Sequence, residues 1–272
     1  MKGLKRTLLA LGIVGLPVVA TADLTMLDDS ALGDITGQAG VSIELETKVD
    51  IGQFSYTDEG TLAINDISIG GANRTNMFGF NGMGGPEATE RLDNIRIDID
   101  ILADGDAAIN IVPTYFNAID FRVTTGAWDL LSSDGSNSST QVLNNFMAEG
   151  VLGRGEIHID TNTDVMRFAT AFGIETMEFD VPFLAIGVRG MSITGANYDP
   201  VFRNPMDVFA EVELFIYAGQ RLGSTESSLA IDMPVFEADI GIEQVIVGQQ
   251  SIGQIFVDDL SITNTAMSIY GH

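Results

Sequence analysis

Two histidines, no cysteine and 38 carboxylates set the chemistry open to this 272-residue chain. With His158 and His272 as its histidines, the chain lacks the parts for Ser-His-Asp, Cys-His and zinc-hydrolase arrangements. His158 sits in Glu156-Ile157-His158-Ile159-Asp160, on the polar side of an expected strand, and reads as a surface residue. So many acids allow almost any pairing, so a carboxylate-dependent glycan hydrolase stays as the enzymatic alternative, with no pair singled out. The expected catalytic set is therefore empty, the chain reads as non-enzymatic, and the cofactor to consider is calcium, whose hard cation wants clustered oxygens. Asp160, Asn162 and Asp164 are the candidate ligands, in the alternation Asp160-Thr161-Asn162-Thr163-Asp164. Val165 stands where an EF-hand loop needs glycine, and Ala171 where it needs its closing glutamate, so the segment reads as a solvated acidic turn with weak divalent affinity at best. Asp104-Gly105-Asp106 and Asp258-Asp259 are acidic turns of the same kind.

The acids are unevenly placed. All 38 follow Ala22, whereas three of the 13 basic residues precede it, which leaves ten basic residues and a net charge of -28 from Asp23 onward. Such a field repels nucleic acid and anionic lipid head groups, and neither is expected as a partner. Lys48 is the one lysine beyond Ala22, so a lysine-based isopeptide crosslink could form at most once. Without cysteine, stability must come from burial and backbone pairing.

Lys2, Lys5 and Arg6 precede an apolar run from Leu8 to Ala20 that closes in Ala20-Thr21-Ala22. This pattern predicts a secretory signal over residues 1–22, with cleavage between Ala22 and Asp23. The run is shorter than the roughly 20 residues of a membrane span. Export to the cell surface, the outer membrane or the medium follows as the expected localisation.

The elements behind these residues are mostly strands. Val41, Ile43, Leu45, Val49 and Ile51 alternate with Glu44, Glu46, Lys48 and Asp50, and beyond Gly52 the apolar parity moves to Phe54 and Tyr56, as at a bulge or turn. Similar alternation runs through Ile95–Ile101, Ile119–Val123, Met177–Phe183 and Val208–Ile216. The expected fold is all-β, an antiparallel β-sandwich or elongated β-roll, with acidic outer faces that discourage edge pairing. Two helices are expected beside the strands. One lies between Asp28 and Gly37; the other is amphipathic, with Val142, Leu143, Phe146 and Met147 at helical spacing, in an insertion over residues 132–152. The stretches 73–87 and 132–139 read as surface loops. A weak echo joins Asp66-Ile67-Ser68-Ile69-Gly70-Gly71, Gly190-Met191-Ser192-Ile193-Thr194-Gly195 and Asp259-Leu260-Ser261-Ile262-Thr263-Asn264, at spacings too irregular for a solenoid.

The organisation expected is thus a signal (1–22), an N-terminal helical or turn segment (23–40) and an acidic β domain (41–272). The segment Leu27-Asp28-Asp29-Ser30-Ala31-Leu32-Gly33-Asp34-Ile35-Thr36-Gly37-Gln38-Ala39-Gly40-Val41-Ser42-Ile43 resembles the opening of a family of exported bacterial proteins named for the pilus-system protein FilA, with a looser likeness in the closing strands up to His272. The resemblance implies an envelope or surface role in a fimbrial or biofilm-associated assembly. Envelope or pilus-assembly proteins would then be partners, with self-association. On this basis Ala22, Asp23, Thr36, Gly37, Gln38, Ala39 and Gly40 are the candidate processing and interaction residues. Chaperone-usher pilins carry a cysteine pair and a penultimate tyrosine; here cysteine is absent and Tyr270 is third from the end. The transport-class alternative is an outer-membrane β-barrel, which would ask for more aromatic residues than one tryptophan and five tyrosines provide.

Overall fold

The structure, a computed structural model, describes residues 40–115, 117–133, 140–202 and 204–271. In chain order its strands are β1 (Val41–Thr47), β2 (Val49–Thr57), β3 (Thr61–Gly70), β4 (Leu92–Ile101), β5 (Ala107–Pro113), β6 (Ile119–Thr125), β7 (Trp128–Leu131), β8 (Thr140–Asp160), β9 (Val165–Val181), β10 (Ile186–Thr194), β11 (Ala210–Gln220), β12 (Ser227–Val247) and β13 (Gln250–Ile269). All thirteen belong to one sheet, and every pairing is antiparallel.

The pairings collapse the thirteen strands into eight rows. β1 and β2 form one traverse beside β4 and β3, which lie end to end. β5, β6 and β7 follow one another along one side of β8, and β9 takes its other side. β10 and β11 lie end to end between β9 and β12, and β13 completes the sheet against β12. Four rows are single uninterrupted strands of 21, 17, 21 and 20 residues.

Register turns sequence alternation into two chemically distinct faces. Val41, Ile99, Ile109, Ile157, Phe168 and Leu214 form one line of neighbours across six rows. One residue along, on the other face, the line is Ser42, Asp98, Asn110, Glu156, Ala169 and Glu213. Followed through every pairing, the first face carries no Asp, Glu, Lys or Arg, and the charge lies on the second.

Strands this long keep their faces by local correction. Asp66, Asn94, Asn145, Asp259 and Asn264 take left-handed φ of 51–59° within strands, and each shifts the alternation by one residue. Gly52 stands opposite Asp66, between the pairs Ile51–Ile67 and Gln53–Asn65, so the parity change after Gly52 is shared by both strands. The three echo segments gain a physical meaning: each opens on a left-handed residue, Asp66, Gly190 or Asp259, and then sets apolar, Ser and Ile on alternating faces.

The amphipathic helix expected near 142–147 is instead the start of β8, so residues 140–152 of the expected insertion belong to the sheet; 134–139 lie outside the described residues. Asn145, at φ 52°, is the cause: it puts Leu143 and Phe146 on one face three residues apart, and a strand thereby imitates helical spacing. Phe183, read as part of a strand, lies in a 3₁₀ turn at Pro182–Leu184; Val208 lies in another at Pro205–Val208. The helix expected between Asp28 and Gly37 falls outside the described residues.

Two excursions interrupt rows at mid-height: residues 71–91 between β3 and β4, and 195–209 between β10 and β11. Both pack on the charged face. There Ala72, Met77, Phe78, Met83, Val151 and Val208 form the buried apolar cluster, against Phe80, Tyr198 and Phe209. The stretch 73–87, expected at the surface, therefore supplies buried side chains, Met77 at 0 % exposure among them. On the apolar face nothing among the described residues plays that part. Val41, Phe54, Tyr56, Leu229, Met267 and Ile269 stand 44–62 % exposed along the rows near its two edges, whereas the central rows are half-buried, with Ile119, Val188 and Ile95 buried at 1, 8 and 9 % exposure. Stacked rings of Phe172 and Phe236, 6.4 Å apart, lie on the strands flanking β11 and shelter Ala210 between them.

Candidate functional site

Mid-height on the charged face, a belt of acids crosses the rows beneath the two excursions. Asp93 comes from β4, Asp120 from β6, Glu149 from β8, Glu175 from β9 and Asp239 from β12. Strand geometry aims them. Asp120 lies between Ile119 and Phe121, and Glu149 between Ala148 and Gly150; these neighbours face the apolar side, so the carboxylates must face the other.

Asp93 and Asp120 are 8 % and 4 % exposed. Asp120 Oδ2 accepts the Ala72 N–H at 2.6 Å, and Asp93 Oδ2 accepts the Thr89 hydroxyl at 2.5 Å, so both acids pin the 71–91 excursion to the sheet. Asp93 Oδ1 is buried without a hydrogen-bond partner. A Cβ at Gly85, whose φ is 98°, would meet Asp120 Oδ1 at 2.9 Å and Asp93 Oδ1 at 3.9 Å; glycine alone suits both the conformation and the space. Burial, and then the neighbouring Asp93 charge, push the Asp120 carboxyl up to about 6, against the opposing Ala72 hydrogen bond.

Arg74 reaches from the same excursion to Glu149 at 2.9 Å and to Glu175. Glu175 also accepts the Phe78 N–H at 2.5 Å, and Arg122 holds the other oxygen of Glu149 at 3.0 Å. Further along, Asp239 Oδ1 accepts the Asp259 N–H at 2.8 Å, and oxygens of Asp239, Asp258 and Asp259 lie within 4.8 Å of one another. Burial and then the charges of Asp258 and Asp259 raise the Asp239 carboxyl above the ordinary range. This trio could offer three oxygens to a hard cation.

The sequence-derived calcium candidates fall elsewhere, in the β8–β9 hairpin. Asp160 Oδ1 accepts the N–H groups of Asn162 at 2.8 Å and Thr163 at 3.1 Å, so it closes its own turn; these bonds, with the Thr163 hydroxyl first, lower its carboxyl. Asn162 and Asp164 are exposed, and Asp164 adopts φ 56°. The structure thus uses Asp160 as a cap and does not gather Asn162 and Asp164 around it. The neighbouring acidic turn joins the same end of the sheet: Asp106 Oδ1 accepts the Thr161 N–H and hydroxyl, both at 2.9 Å, and His158 Nε2 stands 3.7 Å from Asp106 Oδ2.

Among the processing candidates, Ala22, Asp23, Thr36, Gly37, Gln38 and Ala39 lie outside the described residues. Gly40 leads into β1 so close to β4 that a side chain would run into Asp100 and the Ile99 carbonyl. The belt itself escaped sequence reading because Asp120 and Asp98 occupy equivalent places in an alternation, and only the excursion, remote in sequence, distinguishes them. Every lysine and arginine among the described residues stands within 4.0 Å of an acid, Lys48 with Glu90 at 3.0 Å, which leaves the acid excess unbalanced.

The belt can hold a proton and fasten an excursion. Its pair Asp93 and Asp120 is sealed beneath Ala72, Gly85 and Thr89. A family model described as a family of unknown function, DUF6160, matches residues 1–103, which reach just past the end of β4. No curated protein and no solved structure matches the chain.

Proposed function

We propose that this chain is an exported, non-enzymatic structural protein of the cell surface, part of a pilus-like or biofilm-associated assembly, in which the segment from Asp23 to Gly40 serves attachment or processing. The observation that carries the reading is the contrast between the faces: acids with their fastened excursions on one, and an uncovered apolar surface on the other. A face of that kind is material for assembly, because soluble monomers rarely leave patches beyond a few hundred Å² bare. The acid excess on the opposite face keeps such an assembly hydrated and repels nucleic acid. The sandwich expected from alternation would be completed between chains. Strand length speaks against the barrel alternative, since rows of 17–21 residues are about twice the 9–11 residues of a barrel strand.

The test is export and retention. The full chain, expressed with its own N-terminus, should reach the cell surface and be cut there by added protease. A chain lacking Asp23 to Gly40 should fold and yet lose retention. Unchanged retention of the shortened chain, or a full chain confined to the cytoplasm, would sink the proposal.

A further inference from the structure

We infer that the apolar face is the seat of a second copy of this chain, stacked face to face into a two-layer sandwich. The inference rests on the surface-assembly reading and names the first partner in that assembly.

Area is the first argument. Eight rows at roughly 4.8 Å, each about 60 Å long at 3.3 Å per residue, give a face of roughly 2,300 Å². Two such faces meeting would bury well over 2,000 Å² in total, the range of obligate dimers, whereas the largest bare patch on an ordinary monomer is about 300–600 Å².

Charge is the second. The face carries no ionised side chain at any register position, and the lines Ser42–Asp98–Asn110–Glu156 and Glu213 point the other way. Two chains, each at -25 overall, could hardly meet through their acidic faces. Face to face, the sheets stack about 10 Å apart and both acid layers remain outermost in water.

Scale excludes the rival occupants. A bilayer's hydrocarbon is about 30 Å thick, half the length of a row, so a face apolar from end to end does not match it. One bound lipid would cover only a fraction of the face. Residues 1–39 lie outside the described set, and even fully extended at about 3.3 Å each they are enough for two rows of the eight.

The absence of cysteine makes the test clean, because each introduced thiol reports one position. Thr170 lies on the apolar face between Gly155 and Val212; Ala169, its neighbour in β9, lies on the charged face between Glu156 and Glu213. The full chain carrying Thr170→Cys or Ala169→Cys is purified, sized by light scattering at micromolar concentration, and treated with a short bismaleimide. The expected result is twice the single-chain mass for both variants, a covalent pair from Thr170→Cys alone, and protection of that thiol from a charged maleimide. Retained far-ultraviolet circular dichroism shows that each variant folds. A single-chain mass with a freely reactive Cys at 170 overturns the inference. So does flotation of the chain on neutral phosphatidylcholine vesicles with that thiol buried in lipid, which gives the face to membrane. A paired chain that is never retained at the surface would refute the surface reading and leave the pair standing; a retained chain that stays single would do the reverse.

Discussion

Asp120 provides the sharpest quantitative test, because one atom-for-atom exchange removes its charge and keeps its contacts. Asp120→Asn leaves an oxygen for the Ala72 N–H and places an amide where it can donate toward Asp93 Oδ1, which is buried without a partner. In the folded chain the Asp120 carboxyl is raised from 3.8 to about 6. Between those values the folded state keeps a proton that the unfolded state has released, so stability falls as pH rises through the window and stays low above it. The rise is worth about 3 kcal/mol unscreened. Water around the excursion screens part of it, and about half, ~1.5 kcal/mol, is the expected effect. Urea unfolding of the parent and Asp120→Asn at fixed protein concentration, from pH 4 to pH 8, isolates it. The two should be nearly equal at pH 4 and diverge in favour of the variant up to pH 7, with no further change above. Asp93→Asn should move the parent's window to lower pH by removing the neighbouring charge. Parallel stability curves for parent and Asp120→Asn would refute the account of a buried, raised acid under the excursion.

Gly150→Ala should cost about 1–3 kcal/mol, because the new Cβ would strike the Gly173 carbonyl and the Phe121 ring; thermal unfolding measures the drop. Arg74→Ala should cost about 1–2 kcal/mol, allowing for its partial exposure, and should speed proteolytic cutting within residues 72–90, whose ties to Glu149 and Glu175 it removes. Asp160→Ala should lower the melting temperature equally with and without added calcium, since its oxygen caps Asn162 and Thr163; a loss confined to calcium-containing buffer would restore the ion-binding reading.

The all-β, antiparallel character was legible, because alternation at Val41–Ile51, Ile95–Ile101 and Ala210–Ile216 is a direct print of the pleat. Its failures were local. Leu143 and Phe146 read as helical because a single left-handed Asn145 adds one residue to a period of two. Asn and Asp adopt φ above zero more readily than most residues, so the alternation of this strand continues through Asn145 with its parity shifted by one. The stretch 73–87 read as surface because Gly and Asn are frequent in it, yet its Met77, Phe78 and Met83 are the largest side chains in the buried cluster. Composition cannot tell a loop over solvent from a loop over a sheet. The acid belt was invisible for the same reason: its partners Ala72, Thr89 and Arg74 are 4 to 101 residues away from the acids they meet.

What the left-handed residues accomplish bears on assembly. An antiparallel strand of 20 residues twists steadily, and an uncorrected extra residue would turn half of its apolar side chains to the acidic face. Asp66, Asn94, Asn145, Asp259 and Asn264 prevent that, and each takes a conformation that costs an L-residue some energy. For a sheet whose apolar face met only water, keeping that face continuous would gain little, since exposure would be penalised whichever way the side chains pointed. The corrections gain value if the whole face is buried at once, as the proposed pairing would bury it. The same sequence that writes acid onto one side by alternation therefore keeps, through five interruptions of that alternation, one continuous apolar face, and the proposed pairing rests on that face.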